Sequence, residues 1–266
     1  FLADETIEKF RSEVSADVLS LEAPEVIYED SNILILNKPS GMLSQKAREQ
    51  DISLNDLMLN YLVGSGKITP KQLRAFRPSI CNRLDRNTSG LVVAGRSMSG
   101  LQIMNQAFKE RSMEKYYLCI VKGWVREKQQ IQGYLIKDHR ANQVRILNRP
   151  ADEAQPIATA YEPLAYGKDL TLLQVELLTG RSHQIRAHLA SIGHPIGGDT
   201  KYGDPELNRR LRTECGVKNQ LLHSWKLVMP ETLTEPLSAL AGKTFLAPVP
   251  EEFSRVQALY FKNPSR

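Results

Sequence analysis

NRLDRNTSGLVVAG, Asn82 to Gly95, sets one carboxylate, Asp85, between Arg83 and Arg86 in a turn-prone segment and then runs into the apolar Leu91–Ala94. Asn87, Ser89 and Gly90 favour a turn. The apolar run does not alternate, which is the pattern of a strand buried on both faces. If residues 83–85 are extended, Arg83 and Asp85 point the same way. Nearby cations keep a carboxylate ionised even when it is partly buried, and a positioned carboxylate can serve as nucleophile or base. Taken alone, such a segment is more often a surface salt bridge in a basic turn.

Outward from this stretch, short elements follow one another. Val26–Tyr28 and Ile33–Leu36 read as strands around the turn Glu29–Asn32, and Lys38-Pro39-Ser40-Gly41 ends the second. Ser53 is a candidate N-cap for a helix with Leu54, Leu57, Met58, Tyr61 and Leu62 at helical spacing, closed by Gly64. A second helix spans about Ser97 to Arg111, with Leu101, Met104 and Phe108 on one face. KYYLCIVKGWV reads as a central strand, and further strands are predicted around Val144, over Ala158–Leu164 and over Thr171–Leu178. RSHQIRAHLASIG is predicted as a third helix, with Arg181 at its start, Ile185, Leu189 and Ile192 inward and Gly193 at its C-terminal cap. LLHSWKLVMP reads as a late strand and APVPEEFSRVQALY as a closing helix. Strands outnumber helices without regular βα alternation, which predicts an α+β fold with a mixed, mostly antiparallel sheet.

The 266 residues are 41% apolar and carry a net charge of +5, with a sequence pI of about 9.0. A basic balance fits a polyanionic partner. Cys81, Cys119 and Cys215 are odd in number and form no Cys-x-x-Cys pair, against a disulfide framework or a cysteine zinc site. A reduced, cytoplasmic setting is therefore expected. No apolar run approaches the roughly 18 residues of a membrane span, so no membrane partner is expected. His183 and His188 are five apart, about 140° around a helix, so a zinc pair is not expected and no metal site is read.

Three constellations carry candidate chemistry. Asp85 with its flanking arginines is the first. In the second, LLTGRSHQIRAHL, Gly180 permits a tight turn and Arg181 near a helix start suits an anion, a phosphate or an aspartate. The third is Lys115-Tyr116-Tyr117: on a strand the two tyrosines face opposite sides, so one can pack in the core while the other lines a cleft and offers a stacking surface to a flipped base. KDHRANQVRILNR and NRRLRTECGVK are basic stretches that read as phosphate-contacting loops or faces, or equally as solvated surface.

Together the segments resemble the RluA-type pseudouridine synthases. NRLDRNTSG is similar to that family's His-Arg-Leu-Asp-x-x-Thr-Ser-Gly motif. LLTGRSHQIRAHLASIGHPIGGDTKYG resembles its Thr-Gly-Arg-Thr-His-Gln-Ile-Arg segment and the Gly-Asp-x-x-Tyr-Gly that follows. VIYEDSNILILNKPSGM resembles the opening hairpin and LHSWKL the late Leu-His-Ala strand, in the family's order from about residue 24 to 254. The resemblance implies isomerisation of uridine to pseudouridine in RNA without cofactor or metal, on a pseudouridine synthase fold with a central catalytic cleft. It assigns Asp85 as the essential catalytic residue, Tyr117 as the active-site tyrosine and Arg181 as the active-site arginine, paired with Asp85. Arg83, Arg86, Lys38, Gln184, Arg186 and His223, in or beside the matched motifs, are expected to contact RNA, with Arg83 filling the gap left by a flipped base. Three positions depart from the pattern: Asn82 stands for His, Ser182 for Thr, and Ser224 for Ala.

The resemblance also implies that residues 1–23 are a linker or the tail of a missing N-terminal RNA-binding domain, with the catalytic domain over 24–266. Large-subunit ribosomal RNA is the expected target, transfer RNA the alternative, and a monomer the expected state. Two other classes compete. A non-catalytic ribosome-assembly factor would have lost the aspartate, which is present. A carboxylate-based hydrolase wants two acids flanking the bond, and Asp199 and Asp204 lie in a glycine-rich loop that reads as structural.

Overall fold

The computed structural model describes residues 23–138 and 143–261. Most of the predicted linker, residues 1–22, lies outside the described residues, as do His139 and Arg140 of the first basic stretch. The chain divides into two compact units, one of residues up to Met113 with Val228–Leu246, the other of Glu114–Leu227 with residues from Ala247 on. Each is α+β.

In the first unit, β1 (Glu25–Glu29) and β2 (Ile33–Lys38) form an antiparallel hairpin. Its turn is held by Asp30, whose Oδ1 accepts from the Asn32 and Ile33 N–H groups at 2.7 and 2.8 Å. β2 pairs antiparallel with β4 (Ser89–Gly95), which also pairs with the short β3 (Ser79–Ile80). All seven residues of β4 are buried, as the unbroken apolar run predicts. Helix α1 (Leu54–Gly64) starts where expected: the Ser53 N–H and hydroxyl both donate to the Asp56 carboxylate. A one-and-a-half-turn α2 (Pro70–Ala75) follows. Helix α3 (Met98–Glu110) is capped by Ser97, whose hydroxyl accepts from Gly100 N–H. Gly100 lets α3 lie on the hairpin, because a Cβ there would meet the Asn32 carbonyl at 2.2 Å.

In the second unit the sheet runs β10 (Leu222–Val228), β5 (Glu114–Lys122), β9 (Leu170–Leu177), β8 (Gln155–Tyr166), β6 (Gln129–Asp138) and β7 (Gln143–Leu147), in that order. The pairings from β5 through β7 are antiparallel. Helix α4 (Gln184–Ser191) packs on β7 and β8 over a cluster of Leu135, Val144, Ile157 and Ala187. Helices α5 (Pro205–Cys215) and α6 (Glu251–Tyr260) pack on each other.

Four readings of the sequence change or narrow here. Strand β6 was not foreseen; it carries glutamines and Gly133 and buries only Leu135, so it has little apolar periodicity. Of the two forms open to NRRLRTECGVK, a loop or a face, it is a helix face: most of it is α5, capped by Asp204 and ended by Gly216 at φ 68°, with Leu207, Leu211 and Cys215 buried at i, i+4, i+8. Arg181 does not begin the third helix, which starts at Gln184 after His183; Arg181 sits in the preceding turn, its carbonyl accepting from Gln184 N–H at 3.2 Å. Ile192 is 37% exposed, because the helix stops at Ser191 and no longer aims that side chain inward.

Candidate active site

Residues 83–85 belong to no strand and Arg86–Asn87 form a turn, so no strand pairing fixes the shared face expected of Arg83 and Asp85. The shape of the Asp85 turn is set by hydrogen bonds from the Lys38–Ser44 loop. Leu84 is buried as a plug, and its two backbone groups both meet Ser44: the Leu84 N–H donates to Oγ at 3.0 Å, and that hydroxyl donates to the Leu84 carbonyl at 2.9 Å. Thr88 N–H closes the turn on the Asp85 carbonyl at 3.0 Å. Ser40 hydroxyl donates to Asn87 O at 2.8 Å, and Gly41 N–H to Arg86 O at 3.0 Å. Gly90 follows at φ 111°, where a side chain would be strained. This leaves Asp85 half-buried at the turn, with Arg83 and Arg86 exposed beside it.

Lys38 lies beneath the turn and is fully buried. Its ammonium donates to the carbonyls of Pro39, Met42 and Arg86 at 2.9, 2.8 and 3.0 Å. Three donors meet three acceptors, the complement of an ammonium and one more than a neutral amine can fill. Burial pushes the amine down to about 7, while the Asp85 charge pulls it up. The expectation that Lys38 contacts RNA is therefore corrected: it braces the Asp85 turn from inside. Arg86 does reach the surface, with Nε donating to Gly41 O at 2.9 Å. Asn82 stitches the motif to β4, its Oδ1 accepting from Val93 N–H at 2.8 Å. That explains how an amide can stand where the related motif has an imidazole.

Three more RNA-contact expectations are corrected in the second unit. Gln184, 2% exposed, accepts at Oε1 from Arg181 N–H (3.1 Å) and the Thr179 hydroxyl (2.8 Å), and donates through Nε2 to Ala158 O and Thr159 Oγ1, each at 3.0 Å. It fixes the Arg181 backbone to β8 and has no face left for a ligand. Arg186, 5% exposed, makes a two-pronged bond to Asp199 at 2.7 and 2.8 Å and lies over the Tyr202 ring at 5.2 Å. Burial alone would raise the Asp199 carboxyl, but the Arg186 bonds and the Lys201 and Tyr202 N–H groups outweigh it and hold it below the ordinary range. His223 is fully buried against Phe253, and burial drops its imidazole to about 4, with a backbone bond to Ala247 opposing.

The catalytic candidates Tyr117 and Arg181 belong to this unit. Tyr117 is 6% exposed on β5 opposite Val175. Tyr116, opposite Glu176, is the more exposed of the pair; its hydroxyl donates to Glu114 at 2.8 Å, and the Lys226 ammonium sits 3.9 Å over its ring. Burial and that carboxylate raise the Tyr116 phenol. Arg181 is half-buried in its turn, and its Nε is buried with no hydrogen-bond partner among the described residues.

Sequence reasoning missed Ser44 and Tyr202, each of which holds one of the two turns. Ser44 carries no local signal, because its partner lies 40 residues on. Tyr202 lay in a matched motif but was assigned no role there. Among the described residues no group of three or more His, Cys, Asp or Glu is placed to hold a metal ion.

The comparisons with known proteins agree with this picture. The family model described as RNA pseudouridylate synthase matches residues 32–191. The chain is 31% identical over 237 residues to an uncharacterized RNA pseudouridine synthase of Mycoplasma genitalium, covering 86% of this chain and 72% of that protein. It is 34% identical over 201 residues to ribosomal large subunit pseudouridine synthase C of Escherichia coli K12, covering 73% of this chain and 58% of that protein's length. Among solved structures, human RNA pseudouridylate synthase domain containing 4 superposes with a TM-score of 0.70 at 19% identity, over 94% of this chain and 97% of that one. Human RNA pseudouridylate synthase domain containing 1 gives 0.65 at 23%, over 90% and 96%. These likenesses establish the fold.

Proposed function

This chain belongs to the RNA pseudouridylate synthase family, and on that premise we propose that it isomerises uridine to pseudouridine in large-subunit ribosomal RNA, with Asp85 as the essential catalytic residue. The bond from uracil N1 to the ribose breaks, the ring turns, and C5 takes the place of N1. One proton leaves C5 and one is gained at N1, so no redox partner is needed. The Asp85 carboxylate attacks the ribose or removes a proton from it. Arg181 is the arginine that serves the same reaction. Tyr117 packs against the uracil and relays the C5 proton, its phenolic oxygen taking that proton while its own hydroxyl proton passes to water, and N1 takes one proton from water in return. Arg83, long, planar and exposed beside Asp85, fills the space vacated by the base, which costs a few kcal/mol to unstack. Arg86 contacts the RNA backbone.

The observation that carries the reading is the clamp under Asp85. A buried lysine and a buried serine hold the backbone of one short turn, and its only acid is left half-buried between two exposed arginines. A surface salt bridge has no use for so much scaffolding. The large-subunit target rests on the name of the Escherichia coli relative. The test is tritium release from 5-tritiated uridine in separate ribosomal and transfer RNA pools. Release from the ribosomal pool is expected; release from the transfer RNA pool alone would move the target, and release from neither would overturn the activity.

A further inference from the structure

A hydrogen-bonded chain crosses the second unit from the turn of Arg181 to the basic hairpin of β6 and β7. His183 caps α4, two residues after Arg181, in a left-handed conformation at φ 55°. Its Nδ1 lies 2.9 Å from the Tyr202 hydroxyl, and the two rings meet edge to face at 5.7 Å. The same hydroxyl accepts the Val144 N–H of β7 at 2.8 Å. One phenolic oxygen thus bridges the cap of α4 and the backbone of the hairpin, whichever of Tyr202 and His183 carries the shared proton.

Tyr202 is itself held on three sides. Its N–H donates to Asp199 Oδ1 at 3.1 Å, the Arg186 guanidinium covers its ring, and it packs on the cluster containing Val144 and Ala187. The buried Arg186–Asp199 pair therefore works as a mount for Tyr202. On β7, Val144 points into that cluster, and Arg145, next in the strand, points the other way and is exposed. Lys137 on β6, the register partner of Val144, is exposed too but shares the Val144 face, so it lies on the other side of the hairpin from Arg145. The hairpin so presents Arg145 on a strand whose position is set from the Arg181 turn.

We infer that Tyr202 is a positioning residue: its hydroxyl ties the basic β6–β7 hairpin to the Arg181 turn, so that an RNA phosphate gripped by Arg145 is placed in register with Arg181. This rests on the isomerase reading for its catalytic half and on the geometry alone for its binding half.

The two halves are separable in one experiment. Four proteins, the parent, Tyr202→Phe, Arg145→Ala and the double variant, are compared for binding to a 5-tritiated ribosomal RNA transcript and for tritium release from it, with thermal melting as the control for folding. Arg145→Ala is expected to weaken binding about fivefold in the parent and less than twofold in the Tyr202→Phe background, because an untied hairpin no longer places that cation. Tyr202→Phe alone is expected to lower kcat/KM about tenfold with KM rising more than kcat falls. His183→Asn, which tolerates the left-handed cap and removes the ring nitrogen, should reproduce Tyr202→Phe, and it replaces that variant if Tyr202→Phe fails to fold. Equal losses from Arg145→Ala in both backgrounds, or no loss in the parent, would overturn the inference. Coupled binding without tritium release from the parent would leave the tie standing and bring down the isomerase reading instead.

Discussion

At the Asp85 turn the buried charge is one ammonium, and it is met by backbone carbonyls. At the Arg181 turn the buried charge is a guanidinium, and it is met by a carboxylate, with a neutral glutamine amide holding the turn itself. The first is a clamp on a loop: remove the lysine and the carbonyls it gathered have no common partner. The second is a mount for an aromatic ring, and its two charges neutralise each other. The first lies under the turn that carries Asp85 between two exposed arginines; the guanidinium of the second belongs to the helix that follows the Arg181 turn. The charges that a reader of the motifs would assign to RNA are in large part the ones that shape the turns.

Breaking the second arrangement should cost most. Asp199→Ala leaves the Arg186 guanidinium buried without its partner and should destabilise by about 3–5 kcal/mol, read from the denaturant midpoint. Replacing both with apolar residues of similar size should recover much of that loss. Breaking the first should cost about 2–3 kcal/mol: Lys38→Met strands the Pro39 and Met42 carbonyls, while Arg86 O keeps its Gly41 bond. Lys38→Arg should not rescue it, because a planar fork does not match three carbonyls converging on a point. Gln184→Ala should cost about 1–2 kcal/mol and lower turnover more than its stability loss explains, since it frees the Arg181 backbone.

Acid sharpens the contrast. The folded carboxyl of Asp199 lies below its ordinary value, so it contributes stability that is present above about pH 4 and is lost as pH falls through the depressed value. Asp199→Asn should therefore flatten the acid limb of the stability profile, and Lys38→Met should leave that limb unchanged. At the small end, Arg86→Ala should change stability by less than about 1 kcal/mol while weakening RNA binding, because its side chain is exposed and makes one bond to Gly41 O.

Much of the fold is legible in local pattern. The unbroken Leu91–Ala94 run gives a strand buried on both faces, Ser53 and Gly64 bracket α1, and the α+β class follows from strands without helical alternation. What local pattern hides is long-range pairing. Lys38 finds Arg86 O 48 residues away, and Gln184 finds Ala158 O 26 residues away. Nothing beside those residues in sequence reveals that their polar atoms are satisfied inside. Helix α5 is masked for another reason: its Leu207, Leu211, Cys215 spacing is readable, but the helix's five charged side chains give the segment the composition of a solvated or RNA-facing surface. The candidate Asp85 was legible because its turn chemistry and flanking cations are local; its braces were not.

The most direct test of the account pairs activity with stability in one substitution. Asp85→Asn keeps the size of the side chain and leaves Lys38, Ser44 and the turn hydrogen bonds in place. Tritium release from 5-tritiated ribosomal RNA is expected to disappear while the melting temperature and RNA affinity stay near those of the parent. Retained release, or a melting temperature that falls as far as that of Lys38→Met, would contradict it, because Asp85 would then be part of the scaffold and not the group the scaffold presents.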